Sequence, residues 1–202
     1  MVVFNTTESN DMIIATDDGP LVYNLGNIAW VLVASGLVFL MIPGVGFFYS
    51  GLLRRKNALT VLILTMMVSA VAAFEWFFWG FSLSFSETGG RFIGNLDNFG
   101  LINVDINEST GGDKLPQLVY CLFQMMFAAL TPAIACGAFA DRARIGPVLI
   151  FFFCWCTIVY NPLAYWTWNS NGWGYRLGGI DFAGGTPVHI SAGTAALVIS
   201  IY

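Results

Sequence analysis

Four long apolar stretches, at about 28–49, 59–85, 118–139 and 146–166, decide what this chain can fold into. Each is long enough to cross a hydrocarbon layer of about 30 Å as a helix rising about 1.5 Å per residue. Between them lie charged and Gly- or Asn-containing loops. With 57% apolar and only 10% charged residues, the chain is excluded from the water-soluble globular class. It reads as an all-α polytopic membrane protein whose immediate partner is the lipid bilayer. No basic patch points to nucleic acid.

The cations set the orientation. Of the eight, Arg54, Arg55, Lys56, Arg142 and Arg144 follow the first and third spans, and only Arg91, Lys114 and Arg176 fall on the other side. Excess Lys and Arg mark the cytoplasmic side, so the first span runs inward. Residues 1–27 are then a polar extracytoplasmic tail, and 28–202 form the transmembrane domain. The tail has no Lys or Arg and no compact apolar core, so it is not a signal peptide. Asn5 and Asn107, each heading an Asn-x-Ser/Thr triplet, fall on the outer side as candidate glycosylation acceptors.

A fifth span begins between Asp181 and Val188, and from Pro187 the sequence to Tyr202 is shorter than the roughly 20 residues a crossing needs. The expectation is a chain cut within its fifth helix, the span at 187–202 being incomplete. Pro187 is read as the first helical position, with Thr186 as the cap.

Ionisable groups inside apolar runs are expensive and therefore candidate functional groups. Glu75 sits between Phe74 and Trp76 in the second span. It is either a functional carboxyl or a neutral acid bonded to a neighbouring helix. His189, the single histidine, lies in the last apolar run, which Asp181 opens. At about 100° per residue, Ala192, Gly193 and Ala196 fall within about 60° of His189 on a regular helix, a small-residue face that admits a close neighbour. The imidazole is expected to face protein or a narrow pore. Cys121, Cys136, Cys154 and Cys156 all lie in apolar runs and read as small helix residues. Positions two apart, as in Cys154 and Cys156, point about 200° apart on a helix, so neither a redox nor a metal role is assigned. No constellation suggests an enzyme, and no cofactor is called for.

Three blocks carry a family pattern: PGVGFFYSGLLRRKN from Pro43 to Asn57; FQMMF from Phe123 to Phe127 with GAFADRAR from Gly137 to Arg144; and DFAGGTPVH from Asp181 to His189. In these the chain resembles the ammonium transporter (Amt/Mep) family, its fungal Mep branch in particular. The resemblance implies the N-terminal five-helix repeat of a fold built from two inverted repeats and a final helix, truncated in the fifth helix. It implies a trimer with one pore per subunit, either a homotrimer or a hetero-trimer with related subunits, engaged in nitrogen uptake at the plasma membrane. By position, Trp168 looks like the outer tryptophan that receives the cation, and Phe127 like one of two phenylalanines closing the outer pore. Asp181 looks like the buried acid beside the recruitment site, and His189 like the first of twin pore histidines. The second repeat, with the partner phenylalanine, a serine at the cation site and the second histidine, is not in this sequence.

The implied chemistry suits those residue types. Ammonium differs from a potassium ion of similar size in having N–H donors and a proton to lose. An aromatic face attracts a cation by about 0.5–1 kcal/mol when exposed and about 2 kcal/mol or more when desolvated. A bare cation in an apolar pore faces a penalty of tens of kcal/mol, which neutral ammonia avoids. A neutral imidazole can hydrogen-bond ammonia or relay the proton. Asp181, if at a helix N-terminus, would accept backbone N–H groups and organise the site instead of binding the ion. The sequence leaves two expectations: an incomplete portion of an ammonium transporter, or a non-conducting half-length subunit that joins and regulates full-length transporters.

Overall fold

The computed structural model describes residues 2–3, 11–16, 19–112 and 114–201. Asn5, with Glu8, Asp17, Asp18 and Asp113, lies outside the described residues. The part of the N-terminal segment that is described is not an irregular tail. Strands β1 (Val2–Val3), β2 (Asp11–Thr16) and β3 (Gly19–Asn24) pair antiparallel in that order. The sheet is tied to the loop before the third span: Lys114 Nζ reaches Asp11 Oδ2 at 2.8 Å, and the Asn24 amide donates to the Lys114 carbonyl at 3.1 Å. The hydrogen bond from Lys114, then that from Asn24, holds the Asp11 carboxyl below its usual range.

Helix α1 (Leu25–Leu52) starts where the Asn24 side chain accepts from the Asn27 amide at 2.9 Å, a side-chain cap that satisfies an orphan donor. It runs on through Pro43 to Leu52, so the proline and the glycines after it do not end it. The glycines serve approach instead. A Cβ on Gly46 would lie 2.6 Å from Thr65 Oγ1 and 2.9 Å from Leu62 Cδ1 on the next helix. In lipid, helices associate through such close packing because no hydrophobic drive separates them from the tails.

Helix α2 (Arg55–Phe85) is the centre of the bundle. Val61, Leu64, Val68, Ala72 and Trp76 recur at three- and four-residue spacing and are fully buried. They pack on α1 and on α3 (Gln117–Cys136), where Ala128, Ala129, Ala133 and Cys136 keep the opposing surface low. Tyr49 of α1 closes the same seam, donating its hydroxyl to the Ile134 carbonyl at 2.7 Å. Helix α3 ends at Cys136, before the expected Phe139, in turns that carry Gly137 against the Tyr49 ring.

Helix α4 combines Ile145–Trp155, a π segment Cys156–Tyr160 and Asn161–Trp168, and a short α5 (Trp173–Arg176) comes next. Helix α2 has its own π segment at Trp76–Gly80. The last helix, α6 (Gly185–Ile201), packs on α3 and opens with a π turn, Gly185–Ile190. Among the described residues, four helices are long and apolar enough to cross a membrane; α6, as described, is shorter.

The loop between α2 and α3 is strapped to the end of α4. Asn169 Nδ2 donates to the Ser84 and Ser86 carbonyls at 3.3 and 3.0 Å, Asn171 Nδ2 to the Glu87 carbonyl at 2.6 Å, and Tyr165 and Trp166 to the carbonyls of Gly90 and Phe92. This strap holds the end of α4 beside the segment that carries Asp181.

Candidate functional site

Trp168 is the last residue of its helix, so its indole projects beyond the helical ladder. Two contacts orient it. Its Nε1 donates to the Asp181 carbonyl at 2.7 Å, and its ring meets Phe127 edge-on with centroids 6.3 Å apart. Phe127 in turn stands edge-on to Phe123 at 5.0 Å, one helical turn away on α3. Three of the residues singled out in the sequence, Trp168, Phe127 and Asp181, therefore meet at one end of the bundle.

Asp181 caps α6. Its Oδ1 accepts from the Gly185 amide at 2.8 Å and its Oδ2 from the Thr186 amide at 2.7 Å. The cap position is thus Gly184, not Thr186, with the Asp181 side chain accepting the first two amides, and Pro187 stands in the third helical position and not the first. Burial pushes the Asp181 carboxyl up, but the N–H donors of Thr186 and Gly185 together outweigh it and hold the group below the usual carboxylate range. A fixed negative charge thus sits at the positive end of the helix. Asp181 lines two clefts of about 560 and 470 Å³, the second also walled by Trp168, Tyr175 and Phe182.

Gly184 makes this geometry reachable. Its φ of +76° lies in the left-handed region, and a Cβ there would come within 2.9 Å of Val188 Cγ2 and 3.1 Å of the Trp168 ring. Its carbonyl accepts from both Val188 and His189, at 3.0 and 3.2 Å, so the first turn is wider than an α turn. The extra residue changes the phase of the rest of the helix. Pro187, Val188, Ser191 and Ala192 are buried, while His189 is exposed together with Gly193. Of the small residues expected on the face of His189, Gly193 shares its exposure, Ala196 is partly buried and Ala192 does not share it. Nor does His189 face protein in this chain, and it lines neither cleft.

Glu75 belongs to a different place. It is completely buried between α2 and α4, where Asn161 Nδ2 and Thr157 Oγ1 both donate to Oε1 at 2.7 and 2.9 Å. Trp79 Nε1 donates to Thr157 Oγ1 at 2.9 Å, extending the network. Among the described residues Oε2 has no hydrogen-bond partner. The π segments of α2 and α4 adjoin this cluster, one beginning just after Glu75 and the other containing Thr157 and ending at the residue before Asn161. Sequence reasoning missed Asn161, Thr157 and Trp79, although an Asn-Pro pair inside an apolar run was a signal. The four cysteines are free, with Cys121, Cys136 and Cys156 buried and Cys154 exposed.

The chain as a whole is similar to known proteins. The family model described as Ammonium Transporter Family matches residues 29–202. The chain belongs to the Ammonium Transporter Family. Within it, Ammonium transporter 1 of Schizosaccharomyces pombe is 58% identical over 179 residues, covering 89% of this chain and 36% of that protein. Ammonium transporter MEP2 of Saccharomyces cerevisiae is 46% identical, covering 89% and 36%. Among solved members, the crystal structure of Candida albicans Mep2 superposes with a TM-score of 0.84 at 47% identity, over 89% of this chain and 39% of that one. The chain thus spans well under half the length of these ammonium transporters, and it shares the membrane-embedded helical fold of the family over that span.

Proposed function

We propose that this chain supplies the recruitment half of an ammonium transport path. The observation that carries the reading is the Trp168 indole, aimed by its own N–H at the Asp181 carbonyl and braced edge-on by Phe127. A cation arriving at the Trp168 face meets the ring quadrupole and the field of an ionised Asp181. Because both Asp181 oxygens are occupied by backbone N–H groups, the carboxylate acts through its field and not as a ligand. Phe127 marks the point beyond which a bare cation is too costly, so ammonium gives its proton to water on the Trp168 side there and ammonia continues. His189, exposed on α6, is the acceptor and donor that ammonia meets next, on a wall whose other side the remaining length of a full transporter would furnish.

Orientation comes from the cations, with the Arg54–Lys56 end cytoplasmic and the N-terminus outside. The assembly is a trimer at the plasma membrane, homomeric or mixed with related subunits.

The test is uptake of an ammonium analogue in cells lacking every endogenous ammonium transporter. It compares residues 1–202 with the chain extended to the natural end of its reading frame. Uptake by the extended form alone, lost with His189→Ala, is the expected result. No uptake by either form, with specific binding to full-length relatives, would replace the reading with that of a regulatory subunit.

A further inference from the structure

The buried carboxyl of Glu75 and the strap at the end of α4 belong to one hydrogen-bonded ladder between α2 and α4. Asn161 Nδ2 donates to Glu75 Oε1 at 2.7 Å, Ser84 Oγ donates to Asn161 Oδ1 at 3.4 Å, and Asn169 Nδ2 donates to the Ser84 carbonyl at 3.3 Å. Asn169 also reaches the Ser86 carbonyl at 3.0 Å. Each rung crosses from one helix to the other, and the last falls on the residue next to Trp168. Glu75, Ser84 and Asn161 are wholly buried and Asn169 is 5% exposed, so the ladder lies inside the bundle. Asn161 stands seven residues before Trp168. At about 100° per residue the two share nearly one face, so whatever fixes the rotation of Asn161 fixes that of the indole.

We propose that Glu75 is a positioning residue for Trp168, acting through Asn161 and Ser84. The inference rests on the recruitment role given to Trp168 above. Both helices carry a π turn at this level, Trp76–Gly80 on α2 and Cys156–Tyr160 on α4. Each π turn inserts one residue, and its loss would rotate the helix beyond it by about 100°. Apolar packing between helices is not directional, whereas a hydrogen bond survives only where donor and acceptor stay aligned. A carboxyl at this depth is expensive, and an aliphatic side chain would serve packing alone. What the carboxyl adds is direction. Its Oε1 takes two donors from α4, Asn161 and Thr157, and Thr157 is itself held by Trp79 Nε1 of α2, so the two π turns are locked in phase. Gly80 lets the carboxyl lie against its own turn, since a Cβ there would come within 2.6 Å of Oε2.

The chain extended to the natural end of its reading frame is labelled with fluorotryptophan, and the fluorine NMR lines of Trp168, Trp76 and Trp79 are assigned by their loss in Trp168→Phe, Trp76→Phe and Trp79→Phe. Glu75→Leu should move the Trp168 line by more than its own width, and Glu75→Gln, which keeps the acceptor, should leave it near the wild-type position. In uptake of an ammonium analogue by transporter-null cells, Glu75→Leu should raise half-saturation about fivefold, as a weakened cation–ring attraction requires, while the maximal rate per folded protein is kept. Added to Trp168→Ala, it should raise half-saturation no further. If Glu75→Leu does not fold, Ser84→Ala, which removes one rung and little volume, should still move the Trp168 line. Movement confined to the Trp76 and Trp79 lines overturns the proposal, and so does an equal displacement in Glu75→Gln or a full further rise on top of Trp168→Ala. A moved Trp168 line with half-saturation untouched by Trp168→Ala upholds the positioning and removes the recruitment reading instead.

Discussion

Asn161 on α4 donates its side-chain amide to Glu75 Oε1 on α2 at 2.7 Å, inside a region that neither residue shares with solvent. Removing one member of a buried polar pair leaves the other uncompensated, at a cost of about 3–5 kcal/mol when a charge is involved and about 1–3 kcal/mol when it is not. Glu75→Ala and Asn161→Leu are therefore expected to lower the melting midpoint of the purified protein clearly. Glu75→Gln, which keeps an acceptor for Asn161 and Thr157, should lower it less. Equal losses for Glu75→Gln and Glu75→Ala would show that the hydrogen bonds contribute nothing beyond volume.

Gly184→Ala combines a left-handed backbone with two collisions, at Val188 and at the Trp168 ring. The backbone conformation alone costs about 1–2 kcal/mol for a residue with a Cβ. Loss of analogue uptake by the extended chain is expected, together with a shift in indole emission as Trp168 is displaced. Normal emission with normal uptake would mean that the αL turn is dispensable.

Asp181 sets a pH signature. Its folded-state carboxyl titrates below the unfolded value of about 3.9, so its contribution to stability is complete above that value and is lost as pH falls through the folded one. The melting midpoint should thus show no Asp181-dependent change between pH 5 and 8. Below about pH 4 the wild type should lose stability that Asp181→Ala never had, and the gap between the two should close. A gap that persists undiminished in strong acid would contradict the capping geometry.

Trp168→Ala removes the aromatic face and leaves the Asp181 carbonyl without its donor. A cation attraction of about 1–2 kcal/mol corresponds to a roughly 5- to 30-fold rise in the half-saturating ammonium concentration of the extended transporter. A fall in maximal rate with unchanged half-saturation would instead place Trp168 in support of the fold.

The spans were legible because an apolar run of membrane length has few alternatives, and the Asp181 block was legible because an acid, glycines and a histidine in one short segment are a dense signal. Some of the differences share one physical source. A π turn adds a residue without changing composition, so nothing in the run from Gly185 to Ile190 reveals that the helix opens out of α phase. The same silence hid the turns that bracket Glu75. The β2–β3 pairing was missed because the segment was judged by its charge, whereas its alternation and its tie to Lys114 decide its structure. Helix α1 outlasted its prolines and glycines because the close fit at Gly46 outweighs intrinsic propensity.

The hydrogen bonds that strap the end of α4 to the α2–α3 loop all fall on carbonyls: those of Ser84, Ser86, Glu87, Gly90 and Phe92. Every residue type has a carbonyl. The side chain of Glu87 is therefore free to drift over evolutionary time without loosening the grip, whereas Phe92, whose ring stands edge-on to Trp166, and Gly89 and Gly94, pressed against neighbouring atoms, are held. The loop can alter much of its appearance while the geometry it imposes on the end of α4 is inherited intact.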